Sequence, residues 1–109
     1  MLKMIIGSGW GNKFSFFEQD RSTPMTLYHR TVKVLIKKNK DDADGDAILP
    51  IRTFQNQAVN YVVPTYTADE TRQLKEGNYY FAIKIYTADG LDRELYNDII
   101  TINKGVFNE

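Results

Sequence analysis

The side chains that could do chemistry in this chain are few, and they begin with one histidine, His29, set between Tyr28 and Arg30. A general base needs a nucleophile within reach and a third group to orient it. No serine or aspartate stands at a suggestive motif spacing from His29, so it reads as a structural or surface residue. Carboxylates could share acid–base work if a pocket drove their pKa values apart. Here they gather in turn-like segments, where solvent keeps them ordinary. The catalytic set is therefore expected to be empty and the protein not an enzyme.

A metal site is the next possibility. Asp42, Asp44 and Asp46 surround Gly45. With Gly45 at the sixth position of a calcium-binding loop, Asp42 and Asp44 fall on liganding positions three and five. Position one is then Lys40 and position twelve Ile51, so the first and last ligands are missing. A solvated turn is expected, with an irregular calcium site on the three aspartates as the alternative. The chain has no cysteine, which removes disulfides, thiolate metal sites and thiol chemistry and fits a reducing cytoplasm. Gly7-Ser8-Gly9 opens like a dinucleotide fingerprint, but Asn12 holds the third glycine's place and no βαβ pattern follows. No metal and no cofactor are expected.

Binding chemistry leaves more to choose from. Fourteen basic and fourteen acidic residues cancel, so no global field draws the chain to nucleic acid or an anionic membrane. Arg30, Lys33, Lys37, Lys38 and Lys40 do gather on and after one strand, with Tyr28 nearby. They read as a solvated face whose lysines discourage edge pairing, and no nucleic-acid partner is expected. Nor is a membrane: no window approaches the ~18 apolar residues of a spanning helix, and residues 1–6 are too short for a signal-peptide core.

The opening segment is the most suggestive feature. Leu2, Met4, Ile5 and Ile6 precede Gly7-Ser8-Gly9-Trp10-Gly11, which reads as a flexible joint. Two readings stand. Residues 2–6 are the first strand and Trp10 plugs one end of the fold, or the segment adds a strand to a neighbouring subunit with Trp10 as an anchor. On the second reading, residues 1–12 form a separate segment and hinge, residues 13–109 the domain, and removal of residues 1–11 leaves a folded protein. Tyr80 and Tyr86 project together from one strand face as a further contact patch.

The elements that must position these groups are strands. Phe14 and Phe16 alternate with Ser15. In residues 31–38, Val32, Val34 and Ile36 share one face; Lys33, Leu35 and Lys37 lie on the other, wet face. Residues 39–46 are a polar loop. Residues 47–54 resume an apolar run in which Pro50 marks an edge or a bulge. Val59, Tyr61 and Val63 alternate until Pro64. Thr67-Ala68-Asp69-Glu70 fits a capping box that opens a short helical turn over residues 67–74, with Leu74 as its anchor. Residues 78–87 put Tyr79, Phe81, Ile83 and Ile85 inward and Tyr80, Ala82, Lys84 and Tyr86 outward. Asp89-Gly90 turns a hairpin, and Ile100 and Ile102 face inward on the return strand. About seven short strands with turns every ~8–12 residues predict an all-β, antiparallel sandwich in a single domain.

Leu74-x-x-Gly77-x-Tyr79-x-Phe81-x-Ile83-x-Ile85, then Asp89-Gly90 and Ile100-x-Ile102, resembles the closing strands of immunoglobulin-like domains in bacteriophage virion proteins. The opening strands, Pro24-Met25-x-Leu27 and Val32-x-Val34-x-Ile36-Lys37-Lys38, resemble those of the N-terminal domain of phage baseplate upper proteins. The likeness covers roughly residues 13–104. Tyr28-His29 departs from it, standing where that family has a polar-glycine turn. The resemblance implies an immunoglobulin-like sandwich and a virion structural part, assembled in the host cytoplasm. It would dock on tail, baseplate, neck or head proteins, often as a homo-oligomer or within a multi-chain assembly. Two other classes remain open. One is a carbohydrate-binding or adhesive β-sandwich that stacks sugar on Trp10 and the outward tyrosines. The other is a small regulator of a host protein.

Overall fold

The structure, a computed structural model, describes residues 2–104. In chain order its elements are β1 (Leu2–Ile5), β2 (Trp10–Gly11), β3 (Phe14–Ser15), β4 (Thr31–Lys37), a 3-10 turn (Asp44–Asp46), β5 (Arg52–Gln55), β6 (Tyr61–Val62), β7 (Thr65–Tyr66), a one-turn helix α1 (Ala68–Arg72), β8 (Gly77–Thr87) and β9 (Gly90–Asn103). The chain is mostly β, as the alternating patterns predict.

Five strands make one sheet in the order β1-β9-β8-β4-β5. Its central pairs are antiparallel: Val34 lies opposite Ile83, and Tyr79 opposite Ile100. The outermost pair departs from the all-antiparallel expectation, because β1 runs parallel to β9 with Met4 beside Ile102. One face of this sheet carries Met4, Val32, Val34, Ile36, Phe81, Ile83, Ile85, Ile100 and Ile102, none more than 1% exposed. Those are the inward sets that period-two alternation predicts for residues 31–38 and 78–87.

Two short ladders cover that face, β2 with β7 and β3 with β6. They are one pair of chain segments, residues 10–16 and 60–66, interrupted at Pro64. Proline has no N–H to give, and here its carbonyl accepts from Asn12 instead. That interruption raises the strand number to nine, above the expected seven. The register of the second segment also differs from the expected one. Val62 is buried at 2%, while Val59 and Val63, expected on the alternating face with Tyr61, are over 40% exposed. A shift of one residue exchanges the two faces of a strand.

The local signals are present where the sequence puts them. Thr67 Oγ1 accepts from the Glu70 N–H, and the Glu70 carboxylate accepts from the Thr67 N–H, closing the capping box. Leu74 packs against the core. The β8–β9 hairpin turns through Ala88 and Asp89, and Gly90 takes the positive φ, +113°.

Candidate interaction surfaces

The opening segment is not a detachable arm. β1 is hydrogen-bonded into the sheet and Met4 is 1% exposed, so no partner reaches Met4 in the folded chain. Leu2 and Ile6 are half-buried against the core, and Ile5 alone of the four is exposed. The expected hinge is pinned as well. The Gly7 N–H donates to Thr71 Oγ1 at 3.1 Å, and the Thr71 hydroxyl donates to the Ser8 carbonyl at 2.8 Å. The Trp10 indole donates to the Lys3 carbonyl at 2.8 Å, and its ring packs on Tyr66 and edge-on to Phe81. Trp10, half-buried, therefore joins the two layers. The boundary at residue 12 falls inside the fold. Removing residues 1–11 would take away an edge strand, Met4 and this tryptophan, so the truncated chain is expected to lose its structure.

The outward face of the main sheet is also built differently from the wet face expected. Leu35 and Ala82 are fully buried there and Lys37 is 3% exposed, because residues 38–46 fold back over them. The Lys37 ammonium donates to the carbonyls of Lys40 and Asp42 and to the Asp44 carboxylate. Asp44 also takes the Lys84 ammonium at 2.9 Å. Burial pushes the Asp44 carboxyl up, but hydrogen bonds from Lys84 and Lys37 outweigh it and hold the group below its ordinary value. For Lys84, burial pulls the ammonium down and the bond to Asp44 raises it further, for a net rise. The acidic loop is thus a clamp on two lysines. Asp42 is turned to the Asn39 N–H, and among the described residues no group of three acidic or histidine side chains is placed to share a metal ion.

This clamp separates the two predicted contact tyrosines. Tyr80 lies on one side of Lys84 and donates its hydroxyl to the Glu94 carboxylate at 2.9–3.0 Å. Burial, with the hydrogen bond to Glu94 behind it, pushes that phenol up to about 12. Tyr86 lies on the other side, its ring capped by the Lys33 ammonium at 5.0 Å. Both are half-buried, and they do not form one patch. The basic residues scatter too: Lys37 is clamped, and Lys38 lies over Tyr79 at 5.9 Å.

Two surfaces went unread in the sequence. One is a cleft of about 330 Å³ between the layers, lined by Phe14, Phe16, Phe17, Met25, Leu95 and Tyr96. The Phe16-Phe17 pair was its signal, since a strand can bury only one of two adjacent side chains; Phe17 is 46% exposed. The cleft runs beside the half of β9 that β1 leaves uncovered. Two register shifts against β8 irregularise that stretch, and such bulges discourage edge pairing.

The other is the sheet end at which Thr31 lies between Gln55 and Tyr86. A turn closed by the Arg30 N–H on the Leu27 carbonyl places Tyr28 and His29 at its corners. His29 has φ +61° and Asn56 beside it +52°, two of three non-glycine residues with positive φ among those described. The His29 N–H donates to Asn56 Oδ1 at 2.9 Å, and the Asn56 N–H to the Arg30 carbonyl. Tyr28 is 57% exposed and meets the exposed His29 ring at 4.1 Å between centroids, with 64° between planes.

No known family, curated protein or solved structure matches the chain. Among the described residues no helix is long and apolar enough to cross a membrane.

Proposed function

We propose that this chain is a non-enzymatic docking module: an immunoglobulin-like sandwich that serves as a structural part of a bacteriophage particle and binds other virion proteins. The observation that carries the fold half of this reading is Tyr79. Its hydroxyl donates to the Lys75 carbonyl at 2.8 Å, from a position two residues before the fully buried Phe81 on β8. A tyrosine near the start of the sixth strand, bonded back to the backbone a few residues upstream, is a hallmark of immunoglobulin-type sandwiches. The parallel seating of β1 on β9, next to β8, β4 and β5, supports the same reading, as does the aromatic packing of Trp10 and Phe14 on Phe81 across the layers.

A fold does not dictate a function. The virion role rests on the sequence resemblance of residues 74–102 and 24–38, and it extends to assembly in the host cytoplasm and to self-association within the particle. The test is direct. An antibody raised against the full chain should label purified particles of the phage or prophage that encodes it, at a fixed copy number per particle. Particles free of the chain would sink the reading.

A further inference from the structure

The cleft beside the uncovered half of β9 combines an apolar lining with unpaired positive charge. Its walls are Phe14, Phe16, Phe17, Met25, Leu95 and Tyr96, and Lys13 borders it as well. Arg93 lines a second hollow, of about 200 Å³, that shares Phe17, Met25 and Leu95 with the first. Neither cation is ion-paired among the described residues. Lys13 lies over the Tyr61 ring at 4.2 Å, and Arg93 gives an N–H to the Met25 sulfur at 3.9 Å. Glu94 also borders the second hollow, but its carboxylate accepts from Tyr80 and Asn97 instead. The matching occupant is apolar, with an acidic group close by. It is also short. The two register shifts in β9 interrupt a regular ladder, and the Ile99 N–H is already taken by the Asp98 carboxylate. A cleft of about 330 Å³ lies at the low end of ligand-pocket volumes, with room for one or two large side chains.

The chain itself contains such a segment. Gly105-Val106-Phe107-Asn108-Glu109 follows β9 and lies outside the described residues. It sets two adjacent apolar side chains just ahead of a carboxylate. It cannot serve its own cleft. Leu95 stands eight residues before Asn103 on the same strand, about 26 Å away at ~3.3 Å per residue. Phe107 is four residues past Asn103, a span of at most ~14 Å. We propose that Val106 and Phe107 of one copy fill the cleft of a second copy, with Glu109 paired to the cations at its border, Arg93 and Lys13. This rests on the self-association in the docking reading above and gives it a partner, a second copy of this chain. A contact between two different patches leaves a free tail at one end and a free cleft at the other, so it builds a ring or a filament.

Sedimentation of the purified full chain over a concentration series tests this. Wild-type protein should assemble as concentration rises. Phe107→Ser and Phe17→Ser should each raise the dissociation constant roughly tenfold or more, as loss of an aromatic anchor does. Phe17 is 46% exposed, so Phe17→Ser should melt close to wild type. Mixed together, the two variants should pair and stop at a dimer, because one keeps only its cleft and the other only its tail. Arg93→Glu should weaken assembly, and Glu109→Arg added to it should restore it. A wild-type protein that stays monomeric, or assembly undiminished by Phe107→Ser, would overturn the proposal. Loss with Phe107→Ser but not with Phe17→Ser would overturn the cleft as the seat of the tail. Failure of the folded variants to pair would overturn the head-to-tail arrangement, and failure of the double charge change to rescue would overturn the role of Glu109. The virion reading fails separately. A chain absent from particles that still assembles in this pattern ends that reading and keeps the contact; a chain present in particles but monomeric does the reverse.

Discussion

The two faces of β8 are held by different forces. On one side Tyr79, Phe81, Ile83 and Ile85 are buried against the second layer by apolar contact. On the other, Ala82 is sealed by a polar loop, and Lys84 is tied to Asp44, which also holds Lys37. Burial of apolar surface is non-directional and involves no titrating group, and salting-out ions only strengthen it. Ion pairs depend on both salt and pH. The same strand therefore has one face that should be stable under all mild conditions and one whose cover can be loosened selectively.

The largest effect should come from the apolar face. Phe81 is fully buried and touches Trp10 and Phe14 from the opposite layer and Tyr96 from the neighbouring strand of its own sheet. Truncation to alanine leaves a cavity between layers, and Phe→Ala in a packed core costs about 3–5 kcal/mol. That is a large share of the ~5–15 kcal/mol a domain has. Phe81→Ala should be largely unfolded by circular dichroism, or show a urea midpoint far below wild type. A loss under about 1 kcal/mol would mean that the two layers do not meet at this ring.

The polar face should give a smaller and tunable effect. Asp44→Ala leaves the Lys37 ammonium buried with two carbonyls and no counter-charge. A buried donor stripped of a partner costs about 1–3 kcal/mol. The wild-type contribution should also follow pH. The Asp44 carboxyl is held below its ordinary value in the fold. Its contribution is complete above the unfolded value, about 3.9, and is lost as pH falls through the lower folded one. The Lys84 ammonium is raised. Its contribution is complete below about 10.4 and is lost as pH rises through the folded value. Protection of the amides in residues 38–46, taken relative to the intrinsic exchange rate at each pH, should fall at both extremes and at high salt, while that of β8 and β9 amides holds. An equal loss of protection in both would erase the distinction between the faces.

That contrast also marks how far the sequence could be read. The apolar face was legible because strand periodicity reports burial directly: residues 32, 34, 36 and 79, 81, 83, 85 all point inward. The capping box and the hairpin were legible because each is a local contract between residues three or fewer apart. The polar face was not. Lys37 has the composition of a wet residue, and only a loop returning from seven residues on makes it buried. The parallel seating of β1 was hidden for a similar reason, since it joins residues 2–5 to residues 100–103. Val62 was misplaced because the alternation of Val59, Tyr61 and Val63 suggests either face equally well. His29 stands at the surface as its isolation in the sequence predicts, but its turn conformation is held by Asn56, 27 residues away, and so is not legible locally.

The smallest effects come from two identical chemical changes that should differ in sign. Tyr79 and Tyr66 are both buried, on opposite layers of the core. The Tyr79 hydroxyl donates to the Lys75 carbonyl. Tyr79→Phe removes that bond and leaves the carbonyl short of a donor, so a loss of about 1 kcal/mol is expected. The Tyr66 hydroxyl has no hydrogen-bond partner among the described residues. Its ring is gripped by Trp10 and by the Arg52 guanidinium at 4.6 Å. Burial pushes its phenol up to about 12. A desolvated hydroxyl with no partner is unfavourable in the fold, and phenylalanine keeps every ring contact. Tyr66→Phe should therefore be neutral or stabilise by up to about 1 kcal/mol. Paired urea titrations decide it. If Tyr66→Phe destabilises as much as Tyr79→Phe, the hydroxyl is satisfied by an internal water, and the core beneath β7 is wetter than its apolar lining indicates.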